Sequence, residues 1–138
     1  MSVGRICVRT VWTAEPGERV QAAAARMAER GVGTVVVLDE GRIPIGILSD
    51  RDIMIRCVVE GMNADRTLVS ELMSSPVSAV REDTPIEDAL SHMAATGVRR
   101  TPVVDDKDRL VGIVALDDFL ELFAREATSV GRLIKKRS

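Results

Sequence analysis

The amino-acid sequence predicts a mixed α/β fold in which two β-α-β-β-α repeats pack about a pseudo-twofold axis. Three observations support this prediction: an internal repeat, helical spacing of apolar residues, and short β-branched runs after each helical stretch. A shift of 66 residues aligns the two halves of the chain without a gap. It places Gly31 on Gly97, Met27 on Met93, Val37 on Val103, Asp39 on Asp105, Gly46 on Gly112 and Asp52 on Asp118. Such agreement at glycines, a turn aspartate and apolar positions together is not expected by chance.

The first long helix of each repeat is predicted from a single apolar face. Helical spacing recurs at Val20, Ala23, Ala24 and Met27 and again at Ile86, Ala89, Leu90 and Met93. Gly31 and Gly97 follow these stretches and suit the left-handed conformation that commonly ends a helix. In front of the second helix, Thr84 is predicted as the N-cap and Pro85 as the first helical residue.

Two strands and a further helix are predicted after each of these helices. The strands are "GTVVVLDE" and "IPIGILS" in the first repeat, and "TPVVDD" and "RLVGIVA" in the second. Near-continuous β-branched runs are typical of strands that are buried on both faces. Pro102 is expected at the start of its strand, where its missing N–H breaks no ladder hydrogen bond. Helices are then expected over about 50–60 and 116–127, and a short strand near "CVRTVW" or "PVSAV" precedes each repeat.

These elements define the expected organisation of the 138-residue chain. The first repeat spans 6–62, a polar connector spans 63–73, the second repeat spans 74–134, and a basic tail spans 135–138. A unit of about 60 residues buries too little apolar surface to be comfortably stable alone. We therefore expect the sheets of the two repeats to pack against each other.

Composition and charge argue against several classes of function. Aromatic residues make up 2% of the chain and the net charge is −2, so nucleic-acid binding is not expected. No apolar run approaches the roughly 20 residues of a membrane span, and the N-terminus lacks a signal-peptide pattern. We therefore expect a cytoplasmic protein that does not enter a membrane. Cys7 and Cys57 have no metal-binding spacing, and His92 lies off the apolar face of its helix, so no metal site and no catalytic triad are expected.

The two halves resemble a known family at the residues that carry the repeat. The stretches "GVGTVVVLDEGRIPIGILSDRDI" and "GVRRTPVVDDKDRLVGIVALDDF" are similar to those of a tandem pair of cystathionine β-synthase (CBS) domains, a Bateman module. The resemblance extends from about Ile6 to Leu133, and includes the pattern Gly-apolar-x-Thr/Ser-x-x-Asp. It implies a non-catalytic regulatory module whose ligand contains adenosine: AMP, ADP, ATP, S-adenosylmethionine or NAD.

The stretch "GILSDRD" carries the predicted ligand chemistry. The Asp52 carboxylate can accept hydrogen bonds from both vicinal hydroxyls of a ribose. Gly46 has no Cβ and lets a ligand or backbone approach closely, while Ser49, Arg51 and the N–H groups of the following helix suit a phosphate. Ser49 and Asp52 also have the spacing of a helix capping box, which needs no ligand. The spacing alone favours the cap and the resemblance favours a ligand site, and both can hold at once.

The resemblance adds residues from the second repeat to this main site. In similar modules, basic residues at the entrance to the second-repeat strand reach the phosphates of a nucleotide held by the aspartate of the other repeat. This implies a phosphate-binding role for Arg99 and Arg100, to which the planar guanidinium is suited. Pro102 is included in the expected site. Two solvated cations beside a strand are the alternative interpretation.

The repeat also predicts a second, weaker site at Gly33, Thr34, Gly112 and Asp118. Its motif, "GIVALDD", has Ala115 where the first repeat has a hydroxyl. Gly33 and Thr34 take the places of the two arginines and carry no charge. We therefore expect one competent site, with the other degraded, empty or selective for an uncharged end of a ligand.

The expected function is that of an adenine-nucleotide sensor, for example of cellular energy, which signals to a regulated protein that the sequence does not identify. A homodimer is expected through the helices near 50–60 and 116–127, because "DIMIRCVV" and "FLELFA" are too apolar for exposed helices. The alternative is a module without a ligand that dimerises or docks on another protein.

Overall fold

The computed structural model describes residues 1–137, and Ser138, the last residue of the expected basic tail, lies outside the described residues. Within residues 1–137 the chain forms two three-stranded sheets of the same topology. In each sheet a short strand runs parallel to the central strand, and the third strand is antiparallel to it. This arrangement confirms the predicted α/β fold of two repeats.

The first sheet contains β1 (Thr13–Ala14), β2 (Thr34–Leu38) and β3 (Pro44–Ser49). Helix α1 (Val20–Arg30) connects β1 to β2 and buries the apolar face that its sequence predicts. It ends at Gly31, whose φ of 65° is the left-handed conformation expected there.

A continuous helical stretch follows β3. Helix α2 (Asp50–Ile53) runs into a π-helical segment (Met54–Val58), in which the N–H of Val59 donates to the carbonyl of Met54 at 2.9 Å. The helix predicted here is therefore present, but its later part is wider than an α-helix. The short helix α3 (Val69–Leu72) ends the connector between the repeats.

The second sheet contains β4 (Val80–Arg81), β5 (Arg100–Val104) and β6 (Leu110–Ala115). Helix α4 (Ile86–Thr96) lies between β4 and β5 and ends at Gly97, with φ of 72°. The matching elements of the two sheets explain why the 66-residue shift aligns the sequence so well.

The start of α4 differs from the prediction by one residue. Pro85 occupies the N-cap position, and Thr84 does not cap the helix. Instead the N–H of Ile86 donates to the carbonyl of Met1 at 3.1 Å. The chain's own N-terminus therefore supplies this acceptor, through a long-range contact that local sequence does not reveal.

Pro102 lies at the third position of β5, and the prediction that it begins the strand is wrong. It is tolerated in a central strand because β4 pairs only with Val103 and Val104, so its missing N–H lies beyond the paired residues. At the equivalent place in the first repeat, the N–H of Val36 donates to the carbonyl of Trp12 at 3.0 Å.

Helix α5 (Leu116–Arg137) is 22 residues long and extends ten residues beyond the predicted end at 127. The added turns contain helix-favouring arginine, leucine and lysine, and one interior glycine, Gly131. A single glycine costs a helix about 1 kcal/mol and does not end it.

Each repeat has its own apolar core, and each core is completed by a segment from elsewhere in the chain. Val69 and Leu72 of α3 pack in the core of the first repeat. Val3, close to the N-terminus, packs in the core of the second repeat with Phe119 of α5. A third cluster of Val36, Leu38 and Leu110 joins β2 to β6 and packs the two repeats together.

Two glycines leave room for segments from elsewhere in the chain to pack against the third strand of each sheet. A Cβ built on Gly46 would lie 2.4 Å from Sδ of Met73 and 3.2 Å from the carbonyl oxygen of Ser74. A Cβ on Gly112 would lie 2.7 Å from Sγ of Cys7 and 2.9 Å from the carbonyl oxygen of Val8. The equivalent glycines therefore share a packing role, because each repeat presses a backbone segment against its third strand.

Replacement of Gly112 by alanine tests this packing. Gly112→Ala is expected to lower the free energy of unfolding by about 1–3 kcal/mol, since the methyl group overlaps the Val8 backbone, which cannot move freely. Urea unfolding followed by circular dichroism measures the change. The control is Gly17→Ala, where a Cβ meets nothing within 4 Å, and equal unfolding midpoints for the two variants would contradict the packing role.

Candidate functional site

A cleft of about 680 Å³ lies between the first repeat and the turn that joins α4 to β5. Four parts of the chain line it: the start of β2, the later part of β3 with the start of α2, the segment that follows α3, and the end of α4 with the residues up to the start of β5. The lining residues are Thr34, Ile47, Ser49, Arg51, Asp52, Ser74, Pro76, Val77, Ser78, Thr96, Gly97, Val98, Arg99 and Arg100. The cleft thus brings together five of the seven residues predicted for the main site: Ser49, Arg51, Asp52, Arg99 and Arg100.

Asp52 and Ser49 form the capping box that their spacing predicts. The N–H of Ser49 donates to Oδ2 of Asp52 at 2.9 Å, and the N–H of Asp52 donates to Oγ of Ser49 at 3.1 Å. This reciprocal pair fixes the Asp52 side chain at the edge of the cleft, where it is 18% exposed. A carboxylate has about four acceptor positions, so the cap leaves Asp52 with capacity to accept further hydrogen bonds.

Arg56, which the sequence analysis missed, orients the same carboxylate. Its Nη2 lies 3.6 Å from Oδ1 of Asp52, one helical turn away. Its other contacts are a hydrogen bond from Nη1 to the carbonyl of Leu72 at 2.6 Å and one from Nη2 to Oγ of Ser74 at 3.2 Å. Arg56 therefore ties the connector segment to the start of α2. The i, i+4 spacing of the two charges was the available signal.

Three cations face the cleft without a partner. Arg51, Arg99 and Arg100 are exposed, and within residues 1–137 their guanidinium groups take part in no ion pair or side-chain hydrogen bond. Unpaired guanidinium groups with planar donor sets suit phosphate oxygens. The backbone of Arg99 is held in place, since its carbonyl accepts from the N–H of Leu116, the first residue of α5, at 2.9 Å.

The segment after α3 forms one wall of the cleft, and the sequence analysis also missed this contribution. Ser74 is held antiparallel to Ile47, with its N–H donating to the Ile47 carbonyl at 2.8 Å and its carbonyl accepting from the Ile47 N–H at 3.0 Å. Pro76 and Val77 then line the cleft, as does Val98. The contact depends on chain crossing between repeats, which no local pattern in the sequence indicates.

Gly46 and Pro102 belong to the predicted main site but are not among the residues that line the cleft. The absence of a side chain at Gly46 is explained by Met73, which packs against it. Pro102 is among the fully buried residues of the sheet. For these two positions the structure supports a packing role.

The predicted second site corresponds to a smaller cleft of about 240 Å³. It is lined by Thr10, Val11, Trp12, Val32, Gly33, Thr34, Arg100 and Ile113. Most of these residues are related to lining residues of the main cleft by the 66-residue shift. Gly112 and Asp118, which were predicted here, do not line it. A Cβ on Gly33 would lie 3.1 Å from Oδ2 of Asp50, so Gly33 makes room for that side chain.

Trp12 explains why the second cleft is smaller. It stands where the main cleft has Ser78, so an indole occupies the position of a small hydroxyl side chain. The guanidinium of Arg30 lies 4.1 Å from the centroid of the Trp12 ring, a distance at which the cation and the ring attract each other. Nothing in the two motifs predicted this obstruction.

Asp118 retains only half of the capping arrangement. Its Oδ2 accepts from the N–H of Ala115 at 2.8 Å, as Asp52 does from Ser49. Ala115 has no hydroxyl to return the contact. The carboxylate is therefore held at the start of α5 by a single backbone contact.

Other potentially reactive groups offer no second chemistry. In the described part of the chain, no three histidine, cysteine or acidic side chains are grouped so that they could hold a metal ion. Both cysteines are free, and burial raises the pKa of the Cys7 thiol, which disfavours the reactive thiolate. His92, expected to be exposed, is half-buried, and its Nε2 has no hydrogen-bond partner among the described residues. None of the described helices is long and apolar enough to cross a membrane.

The fold and the paired clefts define a class of protein, and the comparison with known families agrees. The CBS domain family matches residues 3–58 and 69–125, which together exceed half of the chain. The chain belongs to the CBS domain family and contains two such domains. CBS pairs are regulatory modules.

Individual relatives place the chain among CBS pair proteins. An uncharacterized protein of Methanopyrus kandleri is 38% identical over 136 residues, which are 99% of this chain and 69% of that protein. The crystal structure of Hypoxic Response Protein I, with two coordinated zinc ions, is similar with a TM-score of 0.78 and 29% identity, covering 88% of this chain and 98% of that chain.

A further similar structure contains ligands. The CBS domain pair of protein MJ0100 in complex with 5′-methylthioadenosine and S-adenosyl-L-methionine has a TM-score of 0.77 and 25% identity. The match covers 91% of this chain and 98% of that chain. Both of its ligands contain adenosine.

The two capping arrangements can be tested by removing the hydroxyl group of Ser49 and by adding one in place of Ala115. Ser49→Ala is expected to lower the free energy of unfolding by about 1 kcal/mol, because the N–H of Asp52 loses its acceptor. Ala115→Ser is expected to raise it by a similar amount, because it supplies the missing acceptor at α5. Chemical unfolding of both variants measures the changes, and a stabilised Ser49→Ala variant would contradict the capping geometry.

Proposed function

We propose that this CBS pair binds an adenosine-containing ligand with a phosphate group in its main cleft, without catalysing a reaction. The observation that carries the proposal is the meeting of one fixed carboxylate with three unpaired guanidinium groups in a single cleft of about 680 Å³. A ribose needs a hydrogen-bond acceptor and a phosphate needs cations, and the cleft offers both. The proposed functional unit is the pair of repeats at 6–62 and 74–134, joined by the connector at 63–73.

Each part of the ligand has a chemical counterpart in the cleft. The Asp52 carboxylate, held by Ser49 and Arg56, is the proposed acceptor for the ribose hydroxyls. The apolar part of the lining, which can contact a base, consists of Ile47, Pro76, Val77 and Val98. The proposed phosphate site is formed by Arg51, Arg99 and Arg100.

The free cations favour AMP, ADP or ATP over the other adenosine ligands. S-adenosylmethionine carries no phosphate, and its one carboxylate is too small an acceptor for three arginines, which its ammonium and sulfonium groups would also repel. NAD is larger than a mononucleotide. The relative that holds 5′-methylthioadenosine and S-adenosyl-L-methionine supports the adenosine part of the proposal. We propose that the protein senses cellular energy in the cytoplasm and signals to a regulated protein.

A ligand-free module is the second candidate function, and two observations favour it. The capping box satisfies Asp52 and Ser49 without any ligand. The helices near 50–60 and 116–127 also expose large apolar side chains, including Val58 and Val59 at 68% and 70% and Leu120 at 55%. In this alternative the pair acts only as a homodimer or as a docking surface for another protein.

Thermal unfolding against AMP, ADP, ATP, S-adenosylmethionine and NAD tests the proposal. A ligand at about 100 times its dissociation constant should stabilise the folded protein by roughly 2.7 kcal/mol, a readily measured rise in melting temperature. We expect the rise with at least one adenine nucleotide. We expect it to disappear in Asp52→Ala and in the double variant Arg99→Ala/Arg100→Ala.

Asp118→Ala is the matched control for Asp52→Ala. It removes the carboxylate that accepts from the N–H of Ala115, as Asp52→Ala removes the one that accepts from the N–H of Ser49. Asp118 does not line the main cleft. The control should lose stability and keep the ligand-induced rise. If none of the five ligands shifts the wild-type melting temperature, the ligand-free module is the better account.

Titration calorimetry of the same ligand should give one bound molecule per chain, because Trp12 and Arg30 obstruct the second cleft. The Trp12→Ser variant removes the indole ring from the second cleft and gives that cleft a serine, as the main cleft has at Ser78. It is expected to leave the affinity of the first site within about twofold, since Trp12 does not line that cleft. Two ligands per wild-type chain would contradict the obstruction.

A further inference from the structure

The side chain of Arg56 joins three groups that come from different parts of the chain. Its Nη2 lies 3.6 Å from Oδ1 of Asp52 and donates to Oγ of Ser74 at 3.2 Å. Its Nη1 donates to the carbonyl of Leu72 at 2.6 Å. Arg56 and these three groups are here called the Arg56 tether. A single nitrogen therefore contacts both the proposed ribose acceptor and a residue of the cleft wall.

Within residues 1–137, the second repeat has no counterpart of the tether. The 66-residue shift places Arg56 on Leu122 and Ser74 on Val8. Leu122 is 8% exposed and packs in the core of the second repeat. Neither apolar side chain can replace the charge and the donors of Arg56 beside Asp118. The tether is thus a feature of the repeat whose aspartate lines the main cleft.

The backbone also differs between the repeats at this place. Arg56 lies in the middle of the π-helical segment Met54–Val58, whereas the equivalent residues 120–124 belong to helix α5. Short π-helical segments are rare, and they occur frequently at functional sites. The wider helical turn therefore coincides with the arginine that contacts the proposed ribose acceptor.

The Asp52 carboxylate is attached at both of its oxygen atoms. The terminal torsion of an aspartate side chain has a broad energy profile, so a single contact leaves the plane of the carboxylate free to rotate. At Asp52, Oδ2 accepts from the N–H of Ser49 at 2.9 Å, and Oδ1 faces the charge of Arg56. Because 3.6 Å is too long for a hydrogen bond, Oδ1 keeps its acceptor positions for a ligand. The plane is fixed, and both oxygens can still accept hydrogen bonds.

We infer that Arg56 makes the main cleft selective for a ribose that carries both vicinal hydroxyl groups. A diol presents two donors at a fixed separation, and a pair of acceptors whose orientation is already set binds both donors with little further loss of freedom. Without the tether the carboxylate can turn toward one hydroxyl, and the second hydroxyl adds little. Arg56 acts through Asp52 and is therefore a positioning residue. The inference rests on the proposed function, since it concerns the ribose of the same ligand.

Calorimetric titration with AMP, ADP and ATP and with their 2′-deoxy forms tests the inference. The selectivity is the dissociation constant of the 2′-deoxy form divided by that of the parent, for the nucleotide that binds most tightly. It should be at least about tenfold in the wild type, because the hydrogen bond that is lost is one to a charged group. In Arg56→Met, which keeps a long side chain without charge or donors, it should fall below about threefold. Arg66→Met is the matched control at an exposed arginine that does not line the main cleft, and it should keep the wild-type selectivity.

The outcomes distinguish the tether from a general effect on the fold. A merely structural role of Arg56 would weaken the binding of both forms by the same factor, so unchanged selectivity in Arg56→Met would overturn the inference and leave the proposed function intact. A wild type that binds a nucleotide and its 2′-deoxy form equally would overturn it in the same way. If the wild type binds none of the three nucleotides, the proposed function fails and the inference fails with it.

Arg56→Lys is the second variant, for the case in which Arg56→Met does not fold. Lysine keeps a positive charge beside Asp52 but lacks the planar fork of donors that reaches Leu72 and Ser74 together. Its selectivity should therefore lie at least about threefold below that of the wild type. Wild-type selectivity in Arg56→Lys would contradict the role of the tether.

Discussion

The close packing of an incoming backbone segment on a glycine of the third strand determines the architecture of this protein. At Gly46 the segment is Met73–Ser74, and at Gly112 it is Cys7–Val8. Each contact exchanges chain between the repeats, so that neither core is complete without the other half. The first contact also places Ser74 beside β3, where it pairs with Ile47. The residues that follow Ser74 then form one wall of the main cleft. The cleft is therefore a consequence of how the repeats are joined.

The sequence allowed the repeat, the order of elements and five of the cleft residues to be predicted, because these depend on local periodicity and on a motif at fixed spacing. The prediction failed where distant segments meet. Pro102 is tolerated inside β5 because the parallel strand β4 begins only opposite Val103, and the carbonyl of Met1 accepts a hydrogen bond at the start of α4. At Gly46 the sequence left open whether a ligand or a backbone approaches, and the structure places Met73 and Ser74 there, residues far along the chain. Cys7 and Val8 approach Gly112 in the same way.

The two clefts show how a repeated fold acquires unequal sites. Relative to the main cleft, the second has uncharged Gly33 and Thr34 in place of two arginines, and Trp12 in place of Ser78. The first exchange reduces the positive charge, which leaves Arg100 as the cation among the lining residues, and the second places a bulky ring in the cleft. The backbone of Arg99 in the main cleft is also connected to α5, because its carbonyl accepts from the N–H of Leu116, the first residue of that helix.

The most direct test of the central claim is an amide NMR titration of the full chain with ATP. The account predicts the largest shifts at Ser49–Asp52, at Ser74–Ser78 without Pro76, and at Arg99 and Arg100, because these surround one cleft. Amides beside the second cleft, such as those of Trp12 and Gly33, should change much less. Shifts confined to the second cleft, or a spectrum unchanged by ATP, would contradict the account.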